Sequence, residues 1–225
     1  MKKSILVIAA HPDDETIGCG GAIIKHKCDG DEVNILTLTD GVGSRLGAED
    51  NDLKVRNDAA KSAIDVLGAN WIGAGNFSDN NMDSVPILEI IKFIESFKKN
   101  FYPDIIYTHS PSDLNIDHTI TAKATLTAFR PEPQEKYSEI RFFEIASSTD
   151  FTLKQLNDRF EPNLFINIKD FIDKKIEALK CYEIEMRDYP HSRSYEKIKS
   201  LAEYRGAQSG LEYAEAFEIV RKIDR

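Results

Sequence analysis

Ser4 Ile5 Leu6 Val7 Ile8 Ala9 Ala10 His11 Pro12 Asp13 Asp14 Glu15 is the stretch that decides the fold. The unbroken apolar run from Ile5 to Ala10 has the pattern of a strand buried on both faces, as in a parallel sheet covered by helices. It gives way at once to an imidazole and three carboxylates, and Gly18 Cys19 Gly20 Gly21 follows as a glycine-rich turn. Open α/β sheets build their sites outside the carboxyl ends of their strands. The chain therefore reads as an enzyme, and as a metal-dependent one.

Outward from this strand the pattern alternates. A helix is expected from about Ile17 to Asp29, then a strand over Val33–Thr39 that ends in Thr39 Asp40 Gly41, a strand–helix–strand opening. Leu53–Leu67 has helical spacing closed by Gly68, and Trp71 and Ile72 suit a short strand, with Gly73, Gly75, Asn76 and residues 78–83 as surface loop. A helix over 86–100 leads to the strand Ile105–Thr108, which ends in a second polar cluster, His109 to His118. Thr119–Phe129 reads as helix, 140–146 and 163–168 as strands, 171–186 as a strongly periodic helix, and 191–225 as a helix with an extended segment. These elements predict an α/β fold. Without a linker or an internal repeat, residues 1–225 are expected to form a single domain whose C-terminal portion completes or buttresses the pocket.

Composition narrows the function. The 225 residues carry a formal charge of −9, so nonspecific binding of nucleic acid would work against the overall field. No apolar run approaches the roughly 18–20 residues of a membrane span, and the basic, briefly apolar start reads as a first strand rather than a signal peptide. Cys19, Cys28 and Cys181 are scattered without CxxC spacing, which argues for a reducing compartment, the cytoplasm, and against a cysteine metal site. Assembly into a homo-oligomer through the C-terminal helices is compatible with the sequence.

A catalytic zinc commonly takes three protein ligands and keeps one position open for water. His11 and Asp14 form a local pair across a tight strand-to-helix connection, and His118 can close the set if the strands ending near residues 10 and 108 are neighbours. Asp13 then points differently and is the candidate base, because a carboxylate spent as a ligand is a poorer proton acceptor. His109, Asn115 and Asp117 are candidates for orienting an imidazole or stabilising an oxyanion. The bland reading makes Asp13 or Asp14 a helix cap and residues 109–118 a polar loop. Two such clusters at two strand ends weigh against it.

In its motifs the chain resembles the PIG-L/LmbE-like metal-dependent N-deacetylases. The resemblance lies in Ala10 to Glu15 with Gly18 to Gly21, in Thr39 Asp40 Gly41 with Arg56, in Thr108 to Pro111 with Asp117 His118, and in Arg205 Gly206 with Tyr213 to Phe217. It implies a Rossmann-like three-layer fold with a mainly parallel central sheet. It further implies Zn2+ or another divalent metal on His11, Asp14 and His118, with Asp13 as general base. The activity implied is hydrolysis of an N-acetylated sugar, nucleotide sugar or sugar conjugate to acetate and a free amine. Many relatives carry a histidine three positions before the last ligand, where this chain has Asn115. Asparagine donates a hydrogen bond but cannot shuttle a proton, so His109 or a returning Asp13 would have to serve. Asp40, Arg45 and Arg56 are the candidate substrate contacts; each also has a plain reading, as turn former, solvated loop charge and surface ion pair. Competing functions are hydrolysis of a non-sugar amide and a non-catalytic nucleotide- or metabolite-binding module, although the GxGxxG spacing is absent.

Overall fold

A computed structural model describes residues 2–43, 50–98, 101–156 and 158–224. Strands β1 (Ser4–Ala9), β2 (Glu32–Thr39), β3 (Asn70–Phe77), β4 (Ile105–His109), β5 (Glu139–Phe143), β6 (Leu164–Asn167) and β7 (Ala214–Lys222) form one sheet, in the order β3-β2-β1-β4-β5-β7-β6. Pairing is parallel from β3 through β5, whereas β7 runs antiparallel to both β5 and β6. The order reverses between β1 and β4, which opens a crevice where their carboxyl ends diverge.

Helices cover both faces. In β1, Ile5 and Val7 enter a core with α1 (Asp14–Cys28), α2 (Asp50–Leu67), α5 (Ile172–Lys180) and α6 (Tyr195–Ser209). Leu6 and Ile8 enter the opposite core, with α3 (Ile87–Lys98) and α4 (Ile116–Ala128). Burial on both sides is why β1 reads as continuous apolar sequence rather than alternation. No helix among the described residues is long and apolar enough to cross a membrane.

Three expectations about the elements need correction. The segment read as a loop after Ile72 continues β3 to Phe77: Gly75 lies so close to β2 that a Cβ there would come within 2.1 Å of the Leu38 carbonyl oxygen. Its glycine marks close backbone approach, not a turn. The helix expected to reach Met186 stops at Lys180, and a 3-10 turn over Glu183–Glu185 follows. That tighter path buries Tyr182 and Glu185, which reach Glu15 (2.9 Å) and Arg56 (2.5 Å), so polar partnerships override helical periodicity. Helix α1 starts three residues early, at Asp14.

Helix α1 is broken at Cys19 (φ −144°, ψ 21°), and buried C-terminal residues repair the break. The Glu215 carboxylate accepts the N–H groups of Gly21 (2.8 Å) and Ala22 (2.7 Å), while Lys175 Nζ donates to the carbonyl of Ile17 (2.7 Å) and to Glu215 (2.6 Å). Truncating one member of a buried ion pair leaves the other charge uncompensated, at about 3–5 kcal/mol. Glu215→Ala is therefore expected to lower the melting temperature by roughly 6–20 °C in a chain of this size. Calorimetry showing a change under about 2 °C would mean the pair is dispensable.

Candidate metal centre

The crevice is stitched together by Ala10. Its N–H donates to His109 Nε2 at the end of β4 (2.9 Å), and its carbonyl accepts the N–H (2.8 Å) and hydroxyl (2.9 Å) of Thr39 at the end of β2. Beyond it the chain turns sharply through Asp13, which has φ 129° and ψ −29°. Such a conformation costs on the order of 1–3 kcal/mol for a residue with a side chain and persists only when its surroundings over-determine it. Here the Asp13 N–H donates to Glu15 Oε2 (3.1 Å), and its carbonyl accepts from Thr16 (3.0 Å) and Ile17 (2.9 Å). The turn leaves the Asp13 side chain out of the helix cap and swings Asp14 back beneath His11, whose N–H donates to Asp14 Oδ2 (2.8 Å).

His11, Asp14 and His118 converge. His11 Nδ1 lies 3.0 Å from Asp14 Oδ2 and 3.2 Å from His118 Nε2, and His118 Nε2 lies 3.4 Å from Asp14 Oδ2. Donors about 2.0–2.1 Å from a tetrahedral ion stand roughly 3.3–3.4 Å apart, so the triangle has the size of one face of such a coordination shell. The far nitrogens of both rings meet carboxylates: His118 Nδ1 meets Asp113 (3.1 Å), and His11 Nε2 meets Asp117 (3.2 Å) and Asp79 (3.1 Å). A proton on each far nitrogen leaves two bare lone pairs aimed at each other and at a carboxylate. Only a positive charge resolves that arrangement. Burial disfavours protonation of His118, yet Asp14 and Asp113 outweigh it and push its pKa up to about 9.

The outer carboxylates are themselves held. Asp113 accepts from Thr149 Oγ1 (2.6 Å), Ser148 Oγ and the Asn115 N–H (2.8 Å). Asp117 accepts the N–H groups of Asn80 (2.7 Å) and Met82 (3.0 Å). His11, Asp79 and Asp117 also lie close enough to form a second metal-sized group. Because Asp117 is already engaged by backbone donors, that group suits the outer shell that fixes an imidazole's tautomer.

The remaining sequence-selected residues occupy distinct places. Asp13 has its carboxylate 3.2 Å from Arg56 and 3.5 Å from Arg193; burial raises its pKa, and Arg56 opposes the rise. Asn115 caps α4 by accepting the Asp117 N–H (2.8 Å), and its amide donates to Asn80 (3.0 Å). His109 is fully buried, stacked on the His118 ring with centroids 4.0 Å apart, and burial followed by the neighbouring His118 lowers its pKa to about 4. It packs a neighbouring ring rather than lining the cleft. Arg56 is 2% exposed, clamped between Asp13 and Glu185, and Asp40 folds back to accept the N–H groups of Val42 and Gly43 (both 3.0 Å). Arg45 lies outside the described residues.

Above the cluster is a cleft of about 310 Å³, walled by charged and amide side chains and Gly41, with no apolar side chain among its described lining residues. Sequence reasoning missed Asp79, Asp113, Glu185, Arg187 and Arg193. Asp113 had a signal, since it lies within the polar cluster that ends at His118. The two arginines sit in a segment without periodicity and had none.

A family model described as PIG-L, GlcNAc-PI de-N-acetylase, matches residues 6–129, which run from β1 past the end of α4 and include the His–Asp cluster. The chain belongs to this family. Diacetylchitobiose deacetylase of Thermococcus kodakarensis is 27% identical over 98% of this chain and 84% of its own length. The uncharacterized deacetylase YaiS of Escherichia coli is 28% identical over 81% of this chain and 91% of its own. Among solved structures, N,N'-diacetylchitobiose deacetylase from Pyrococcus horikoshii superposes with a TM-score of 0.77 over 97% of this chain and 84% of its own, at 24% identity. PIG-L membership and the convergent donors together make the chain a metal-dependent hydrolase.

Proposed function

We propose that this PIG-L protein removes the acetyl group from an N-acetylated sugar or sugar conjugate, releasing acetate and a free amine, with zinc held by His11, Asp14 and His118. The observation that carries the reading is the tetrahedral-sized donor triangle with a separate carboxylate, Asp13, beside it in a cleft whose described lining has no apolar side chain. Sugar hydroxyls suit such walls, and the T. kodakarensis relative is named for a diacetylated sugar. One domain, residues 1–225, carries the site, since β7 joins the main sheet and Arg193 reaches Asp13. Free cysteines fit a cytoplasmic setting.

A divalent cation there would supply a Lewis acid that acidifies water and polarises the acetamide carbonyl. Asp13, outside the donor set, accepts the proton of the attacking water. Arg56 and Arg193 fix its carboxylate and keep it from swinging into the donor triangle. Asn115, on the cleft wall, donates a hydrogen bond toward the carbonyl oxygen but has no proton to give up. Buried His109 has no opening to the cleft, so the proton gained by Asp13 is the one returned to the departing amine. His109 acts by holding His118 in place.

Metal analysis and acetate release, measured on the same purified sample, test the proposal. Expected are about one divalent ion per chain, acetate from N-acetylated sugars that stops on chelation and returns with zinc, and at least about tenfold slower release from non-sugar acetamides. A zinc-replete sample that frees no acetate from any sugar overturns the deacetylase reading. Equal rates on both classes would replace it with general amide hydrolysis.

A further inference from the structure

Four carboxylates line the cleft, and each is engaged within the protein: Asp13 by Arg56 and Arg193, Glu185 by Arg56, and Asp14 and Asp79 by His11. Three arginines line it as well. Arg56 and Arg193 are the partners just named, whereas Arg187 has no carboxylate partner among the described residues.

Arg187 is exposed, yet its guanidinium is anchored at one nitrogen. Its Nη1 donates to two carbonyls, those of Ile184 (3.0 Å) and Met186 (2.9 Å), and its N–H bonds the Arg193 carbonyl (3.3 Å). The segment it starts is closed by Ser194, which accepts the Lys197 N–H (3.2 Å) and so begins α6. Two carbonyls hold Nη1, and Nε and Nη2 have no protein partner among the described residues. Ordering an arginine this way costs side-chain entropy and gains no ion pair, and the planar fork it presents matches a carboxylate or phosphate. Among the described lining residues there is also no apolar side chain to receive an acyl chain or aromatic group.

We propose that Arg187 is a specificity-determining residue that binds an anionic substituent, phosphate or carboxylate, on the sugar. The substrate class is then an anionic N-acetylated sugar rather than a neutral oligosaccharide or a lipid-linked one. This rests on the deacetylase reading of the cleft. Arg56 and Arg193 offset the charge of Asp13 and Glu185, so an incoming anion meets Arg187 and not a field of free carboxylates.

Binding, rather than turnover, is the test. Zinc-loaded protein is titrated calorimetrically with the deacetylated sugars glucosamine, glucosamine 1-phosphate, glucosamine 6-phosphate and a glucosamine carrying a carboxylate on its glycosidic substituent. At least one anionic sugar is expected to bind about tenfold tighter than glucosamine, with the gain shrinking as salt rises from about 50 to about 500 mM. The arm that gains identifies the anion and its place. In Arg187→Gln, which keeps an amide at an exposed position but drops the charge, the gain is expected to fall about tenfold at an unchanged melting temperature. The proposal is overturned if no anionic sugar outbinds glucosamine, or if Arg187→Gln keeps the gain. Because acetate is not read here, tight Arg187-dependent binding without hydrolysis would sink the deacetylase reading alone, and hydrolysis of neutral sugars without anion preference would sink this one alone.

Discussion

Asp13→Asn is expected to keep its metal and lose turnover by roughly a thousandfold, within the range attributed to a positioned general base. The substitution is close to isosteric, and asparagine is among the few residues that tolerate positive φ, so the backbone at φ 129° has less reason to relax than with alanine. The donors His11, Asp14 and His118 are untouched, and Arg56 retains Glu185 as counter-ion. What disappears is a carboxylate able to take a proton beside the donor triangle. Metal content by elemental analysis and kcat on the best acetylated sugar separate these effects. Activity within about tenfold of the parent would remove Asp13 from the role of base. Loss of metal in step with activity would instead make Asp13 part of the cation's support.

How much of this was legible beforehand depended on how local the cause was. The buried strand β1 and the polar residues after it are consecutive, so their pattern alone located the sheet and two of the three candidate donors. His118 became readable because it too follows an apolar strand end, and parallel β1–β4 pairing brings the two ends together. Gly75 misled because glycine serves equally for a turn and for a close backbone contact, and only the neighbouring Leu38 distinguishes them. Asp79 was read as loop polarity for a related reason: its partner His11 is 68 positions earlier, and nothing near it in sequence marks the contact. Glu185 and Arg193 reach Arg56 and Asp13 only through the turns after α5, where periodic patterns carry no information. His109 illustrates the converse, a polar residue at a strand end whose position drew a chemical role, while its side chain is fully buried and accepts the Ala10 N–H.

His118→Ala is expected to give protein that releases its zinc on dialysis and frees no measurable acetate, and the comparison with Asp113→Asn makes that result interpretable. His118 is the only donor of the triangle supplied by α4, so its loss leaves His11 and Asp14, a local pair too sparse to hold a catalytic ion. Asp113 touches the far side of the same ring, 3.1 Å from Nδ1, and is held by Thr149, Ser148 and the Asn115 N–H. Replacing an outer-shell partner of this kind typically weakens metal affinity about 10–100-fold, because the ring loses its fixed tautomer and orientation while its nitrogen remains. Competition with a chelator of known affinity should therefore rank the proteins as parent, then Asp113→Asn, then His118→Ala, with a circular dichroism spectrum confirming that each is folded. Full zinc occupancy in His118→Ala would show that the ion is held elsewhere, and the proposed chemistry would lose its centre. An Asp113→Asn protein with parental affinity would leave the donor triangle standing but make the carboxylate behind His118 an element of folding rather than of metal binding.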